Sequence, residues 1–216
     1  MNLQNLKMYL KHRRNKILAV GLSGIAVAML IASFIIEMSA GGWSFDFSLL
    51  WNYILTFIAY AIIFFCNIRN DNYAYRGILL FVFFMAFDQL MEVFYGGAAL
   101  GLMFNVENPI SIVLSVFYLL FVLAEAAVGF MLYYNITKYM MNPVASFKKV
   151  RLLAIVYSAL LFIAISFSIA IFSVILLPSY TPAQIGLAVT LLLLSPISEV
   201  VMSVAIIFTL ERLRRV

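Results

Sequence analysis

The sequence predicts an all-α, polytopic membrane protein with six transmembrane helices and both termini in the cytoplasm. Three observations lead to this prediction. Of the 216 residues, 66% are hydrophobic and only 11% are charged, whereas a soluble domain is about half apolar and about a quarter charged. Six stretches hold the roughly 20 mostly apolar residues that a spanning helix needs. The basic residues all fall at alternate joints between these stretches.

The six spans are separated by short polar joints, so we expect one transmembrane domain over residues 1–216 and no separate soluble domain. Proline fits the first turn of a helix, and a preceding Asn or Thr can cap it. Asn108-Pro109 and Thr181-Pro182 give this signal before the fourth and sixth spans. The third span ends either near Gly96 or at residue 103. The predicted spans are residues 17–39, 47–68, 77–103, 110–136, 150–177 and 183–210.

Residues 1–16 form a basic segment in which Leu3, Leu6 and Leu10 recur at helical spacing. Two interpretations remain open for this segment. It could lie in the cytoplasmic interface against anionic lipid, or it could only orient the first helix. The apolar run that follows is longer than the core of about 7–15 residues found in signal peptides. We therefore expect residues 17–39 to be a membrane anchor.

The distribution of charge predicts the orientation. Basic residues concentrate on the cytoplasmic side of membrane proteins, and with six spans every Lys and Arg falls on one side. Only Glu37, Asp46 and Glu107 carry charge at the opposite side. This predicts a multi-pass protein of the plasma membrane, and it explains the net charge of +5 without a nucleic-acid partner. The 14 basic residues are Lys7, Lys11, Arg13, Arg14, Lys16, Arg69, Arg76, Lys138, Lys148, Lys149, Arg151, Arg212, Arg214 and Arg215.

Four acidic residues lie near the centres of the predicted spans: Asp88, Glu92, Glu125 and Glu199. Asp88 and Glu92 are four residues apart and share one helix face. A charged acid at a helix centre costs roughly 2.5–3.5 kcal/mol on insertion scales. Apart from Arg151 at the cytoplasmic edge of the fifth span, no span contains a Lys, Arg or His that could neutralise it. We therefore expect the four acids to face the bundle interior, where they are protonated or neutralised by a cation.

Two interpretations of this acid layer remain open. The acids could bind a cation, or they could be protonated carboxyl groups that hold helices together by hydrogen bonds. Pro196, three residues before Glu199, is expected to kink the sixth helix beside the site. Whether the site holds a metal stays open. Side chains that could act as polar partners of the carboxyl groups are Gln89, Tyr60, Tyr118, Ser195 and Ser198.

The predicted function is that of a transporter, or the membrane component of one, that binds a cation or a small cationic solute. The alternative is a non-enzymatic subunit or regulatory protein, which would contact a partner membrane or cytoplasmic subunit through residues 142–151 and 211–216. No enzymatic activity and no cofactor are predicted, because Cys66 and His12 are the only residues of their types and HExxH and CxxC motifs are lacking. The lipid bilayer is the expected surrounding.

Small residues at four-residue spacing predict close helix packing, as at Ala28 and Ala32 in the first span and at Gly97 and Gly101 beyond the third. With six helices, a chain of this length and an AxxxA pair in the first helix, the protein resembles the substrate-binding components of energy-coupling-factor vitamin transporters. In that family the AxxxA pair docks on the coupling subunit, so the resemblance implies a partner subunit at Ala28 and Ala32. The resemblance covers only size and this pair.

Overall fold

A computed structural model describes residues 3–40, 47–94, 109–142, 146–171 and 182–214. This part of the chain is entirely helical apart from short connections, which confirms the predicted all-α class. Six helices follow one another along the chain. They are α1 (Leu3–Ala40), α2 (Phe47–Arg69), α3 (Ala74–Phe94), α4 (Pro109–Met141), α5 (Phe147–Ile171) and α6 (Pro182–Leu213).

Five of the helices in the described ranges, α1 and α3 to α6, are long and apolar enough to cross a membrane. The remaining helix, α2, has 23 residues, and its described side chains, from Tyr53 to Arg69, form a shorter apolar stretch. Large apolar side chains such as Phe65, Leu120 and Phe162 are more than half exposed on the outside of the bundle. Such a surface suits contact with lipid, so the chain is a multi-pass membrane protein.

The observed ends of several helices can be compared with the ends predicted from the sequence. Pro109 and Pro182 are the first residues of α4 and α6, as the first-turn signal predicted. The 38 residues of α1 run without a break from Leu3, so the basic segment and the first span form one helix about 57 Å long at 1.5 Å per residue. The described residues do not include the predicted caps or the predicted parts of the third and fifth spans beyond Phe94 and Ile171.

The helices form a closed ring in chain order. Each helix packs against the next, and α6 returns to α1, with which it makes the most extensive contact of all. Across the ring α6 also touches α2 and α3. Tyr139 near the end of α4 packs on Phe147 at the start of α5, and Arg212 near the end of α6 bonds to the α2–α3 connection. We call this the basic end of the bundle, and the opposite end the far end.

Close packing of α1 depends on a stripe of mostly small side chains. These residues recur every three or four positions and so lie on one helix face. Small side chains on this face permit the extensive contact with α6. Ala28, by contrast, is exposed, and Ala32 is only half-buried. The buried stripe consists of Ala19, Ser23, Ala26, Leu30 and Ser33, each 3% exposed or less.

A capped turn ends α2 at the basic end. Asn70 has a positive φ of 59°, its amide bonds to the carbonyl of Asn67, and the amide of Asp71 bonds to the carbonyl of Cys66. This is the Schellman arrangement, whose left-handed position is usually glycine and sometimes asparagine. Arg212, which is 5% exposed, donates to Asn70 Oδ1 at 3.0 Å and to the Asp71 carbonyl at 2.8 Å. The asparagine therefore ends α2 and also supplies a bond to α6.

Candidate functional site

A cavity of about 570 Å³ lies between α1, α2, α3 and α6. Its lining includes Glu37 and Tyr53 near the far ends of α1 and α2, and it extends to Leu30, Asp88 and Glu199. Glu199 is half-buried, whereas Asp88 is exposed. Beyond Glu199 toward the basic end, fully buried apolar residues such as Met202 and Ile206 close the bundle. The cavity is therefore confined to the part of the bundle toward the far end.

Three carboxyl groups line this cavity, each from a different helix: Glu37 of α1, Asp88 of α3 and Glu199 of α6. Asp88 lies 14 residues after the start of α3 and Glu199 lies 14 residues before the end of α6. Both are thus about 21 Å along the helix from the basic end, at 1.5 Å per residue. Among the described residues that line the cavity there is no Lys, Arg or His, so protein cations do not offset these acids there.

Glu37 was not among the candidates from sequence. The Tyr53 hydroxyl donates to Glu37 Oε2 at 2.5 Å and lies 3.1 Å from Ser33 Oγ. The hydrogen bond from Tyr53 holds the Glu37 carboxyl group against α2. The periodicity of α1 could have indicated its position, because Glu37 follows Ser33 by four residues and so continues the buried stripe. Its nearness to the end of the span was instead interpreted as an interfacial position.

Three of the predicted polar partners, Tyr60 of α2 and Ser195 and Ser198 of α6, are linked by short contacts beside Glu199 in the chain. Tyr60 is fully buried, interacts electrostatically with Glu199 and lies 3.4 Å from Ser198 Oγ. Ser198 in turn donates to the carbonyl of Ser195 at 2.7 Å. Ser195 and Pro196 line the cavity themselves. Pro196 lies inside α6, which continues as one helix through it, so the predicted kink stays a prediction.

Glu125 occupies a different position. Its side chain is 1% exposed and is not part of the described cavity lining. One turn further along α4, a Cβ added at Gly129 would come within 2.8 Å of the Ala86 side chain on α3, so the two helices pack very closely here. Glu125 interacts electrostatically with the buried Tyr157 of α5. Tyr157 also has an electrostatic interaction with Glu199. Tyr157 is thus within electrostatic range of both the buried acid and the cavity acid.

The remaining predicted residues lie on α3 and α4. Glu92 follows Asp88 by one turn of α3, and its side chain is outside the described part of the structure. Gln89 is half-buried, and its Oε1 has no hydrogen-bond partner within the described residues. Tyr118 is half-buried and precedes Glu125 by seven residues, on the same side of α4.

The described side chains include no group of three or more His, Cys, Asp and Glu residues that could hold a metal ion. Comparisons of the chain with protein-family models, with curated proteins and with solved structures find no match. The geometry and charge of the cavity are therefore the basis for assigning a function.

Proposed function

We propose that the protein is a plasma-membrane transporter, or the membrane component of one, that binds a cation or a cationic solute in the cavity between α1, α2, α3 and α6. The observation that supports this is the set of three carboxyl groups, Glu37, Asp88 and Glu199, from three helices around one cavity whose described lining lacks basic residues. A carboxylate with little water around it is costly inside a membrane, and a bound cation would offset that cost.

The position of each acid suggests its role. Asp88 and Glu199 lie at matching depth on α3 and α6, where they would hold the cation. Glu37, nearer the far end and bonded to Tyr53, would attract the cation as it enters. Glu125 is buried outside the described cavity lining, so we do not include it among the groups that bind the cation.

The test is binding and uptake of a cation by the neutralised variants Asp88→Asn and Glu199→Gln. We expect each to weaken binding of tetramethylammonium at least tenfold, since one charge pair at about 4 Å contributes roughly 4 kcal/mol at an effective dielectric constant near 20. Binding is measured by equilibrium dialysis of protein in lipid nanodiscs, and uptake in proteoliposomes.

Glu125→Gln is the matched control, because it removes an acid at similar depth that does not belong to the described cavity lining. It should bind the cation as the wild type does. Wild-type affinity in both cavity variants would contradict the proposal. A wild-type protein that binds no cation but co-purifies with a stable partner would instead support the alternative of a non-enzymatic subunit.

A further inference from the structure

A second pocket, of about 270 Å³, lies between α1 and α2 beside the acid-lined cavity. The two spaces share Leu30 and Tyr53 as lining residues. The other residues that line the second pocket are all apolar, and most of them lie on the outside of the bundle at 40–43% exposure. They are Ile31, Phe34, Ile54, Phe57 and Ile58. We call this space the tail pocket.

Tyr53 forms the boundary between the two spaces, and its two ends have different chemistry. Its ring packs edge-on against Phe34 of the tail pocket, with centroids 5.3 Å apart. Its hydroxyl donates to Glu37 of the cavity. An aromatic residue with an apolar ring and a polar tip suits such a boundary between a charged and an apolar compartment.

The cavity itself is not purely polar. Besides its acids it is lined by Phe84, Phe87, Met85 and Met91 of α3. A cavity of several hundred Å³ with mostly apolar walls and a few charged groups is typical of a site for a small organic molecule. Aromatic faces also attract organic ammonium groups directly. Volume and lining therefore both fit an organic cation better than a bare metal ion.

We propose that the ligand is an amphiphilic organic cation, such as an alkylammonium, that spans both spaces. Its ammonium group lies among Glu37, Asp88 and Glu199, and its hydrocarbon tail lies in the tail pocket beyond Tyr53. Because the tail pocket is on the lipid-facing side of α1 and α2, the molecule enters from the bilayer rather than from water. This inference rests on the proposed function and adds the class of ligand.

The experiment compares a cation with a tail and one without. Binding of dodecyltrimethylammonium and of tetramethylammonium is measured on the full chain in nanodiscs, with uptake by empty nanodiscs subtracted. Ile54→Trp fills the tail pocket. It should weaken binding of the dodecyl compound by roughly tenfold, because the tail loses its close packing, and it should leave tetramethylammonium binding unchanged.

Ile68→Trp is the matched control, since Ile68 is on the same helix at 45% exposure and does not line the tail pocket as described. It should change neither affinity. A second pair of variants tests the inference even if Ile54→Trp fails to fold. Phe57→Ala, which removes a wall of the tail pocket, should weaken only the dodecyl compound, and Phe65→Ala should weaken neither.

The outcomes separate this inference from the function on which it rests. If Asp88→Asn abolishes tetramethylammonium binding but Ile54→Trp and Phe57→Ala affect both compounds equally or neither, the ligand class is wrong and the tail pocket holds only a lipid chain. If the wild type binds neither compound, or if Asp88→Asn leaves the affinity for both compounds unchanged, both proposals are overturned.

Discussion

The two ends of the bundle differ in what surrounds their charged side chains. At the basic end, Arg212 donates to the α2–α3 connection, and Glu211 forms a 2.8 Å ion pair with Arg151. Toward the far end, Glu37, Asp88 and Glu199 share a cavity whose described lining contains no basic residue. Arg212, Arg151 and Glu211 thus have partners within the protein at the basic end, whereas the cavity acids have no basic partner in the described lining.

Under the proposed function, the basic end stabilises the fold and the far end binds the cation. Asp88 and Glu199, if charged near the middle of the membrane, would together cost on the order of 5–7 kcal/mol, which is comparable to the whole stability of about 5–15 kcal/mol of a typical domain. The bonds that tie α6 to α2 at the basic end help offset this cost. The comparison predicts that variants at the basic end change stability, whereas variants in the cavity change binding.

The largest expected effect on stability is that of Arg212→Ala. The variant loses two hydrogen bonds from a buried charged donor, which should lower the free energy of unfolding by about 2–3 kcal/mol. Arg214→Ala is the control, because this exposed residue only lies over the Phe147 ring at 5.5 Å and should lose about 0.5–1 kcal/mol. Unfolding in mixed micelles with increasing SDS measures both. Equal losses would contradict the assigned role of Arg212.

A smaller effect is expected where α2 and α3 approach closely near the basic end. A Cβ at Gly77 would come within 2.9 Å of Ile62 and Ile63, so Gly77→Ala should destabilise by about 1–3 kcal/mol. Gly21 has no neighbour within 4 Å of its added Cβ, and Gly21→Ala should stabilise by up to about 1 kcal/mol through helix propensity. The same unfolding assay compares them, and a Gly77→Ala protein as stable as Gly21→Ala would rule out tight packing there.

The smallest effect is expected from the ion pair between Arg151 and Glu211. The Arg151 side chain is 55% exposed and that of Glu211 is 9% exposed. Water screens the pair from one side, so its contribution should lie near the upper end of the roughly 0.2–1 kcal/mol of surface pairs. Arg151→Ala should therefore show a small loss at low ionic strength that disappears near 1 M salt, where the screening length is about 3 Å. A loss that persists at high salt would show that the pair is not screened like a surface pair.

Much of the helical architecture could be predicted from the sequence. Apolar stretches located the helices, and proline chemistry located the starts of α4 and α6. The closure of the ring by α1 and α6 could not be predicted in this way. Membrane helices are apolar on their lipid-facing sides as well as inside, so hydrophobic patterning does not identify neighbours. Only the small residues of α1, from Ala19 to Ser33, indicate a close contact, and they do not name the partner helix.

The sequence could predict how deep the acids lie in the membrane. It could not predict which way each helix face points or which helices adjoin that face. Counting residues placed Asp88, Glu125 and Glu199 near one depth, and the structure puts Asp88 and Glu199 on one cavity. Glu125 is buried but outside the described cavity lining, and the close helix contacts one turn away, at Gly129, are with α3 and α5. The sequence did not identify Glu37 as a site residue, because its position near the end of the span was considered and the helix face that it shares with Ser33 was not. Which helices adjoin a given face depends on tertiary packing, which a single sequence does not contain.

Under the proposed function, the cavity acids lower the stability of the ligand-free protein and bind the cation. The most direct measurement is the free energy of unfolding of the wild type and of the Asp88→Asn/Glu199→Gln double variant, each with and without tetramethylammonium. The free energy of unfolding of the ligand-free double variant should be higher than that of the ligand-free wild type. Only the wild type should gain stability from the cation, by about 2.7 kcal/mol at 100 times the dissociation constant. A ligand-free double variant that is less stable than the wild type, with no cation effect in either protein, would show that the acids hold helices together and would contradict the account.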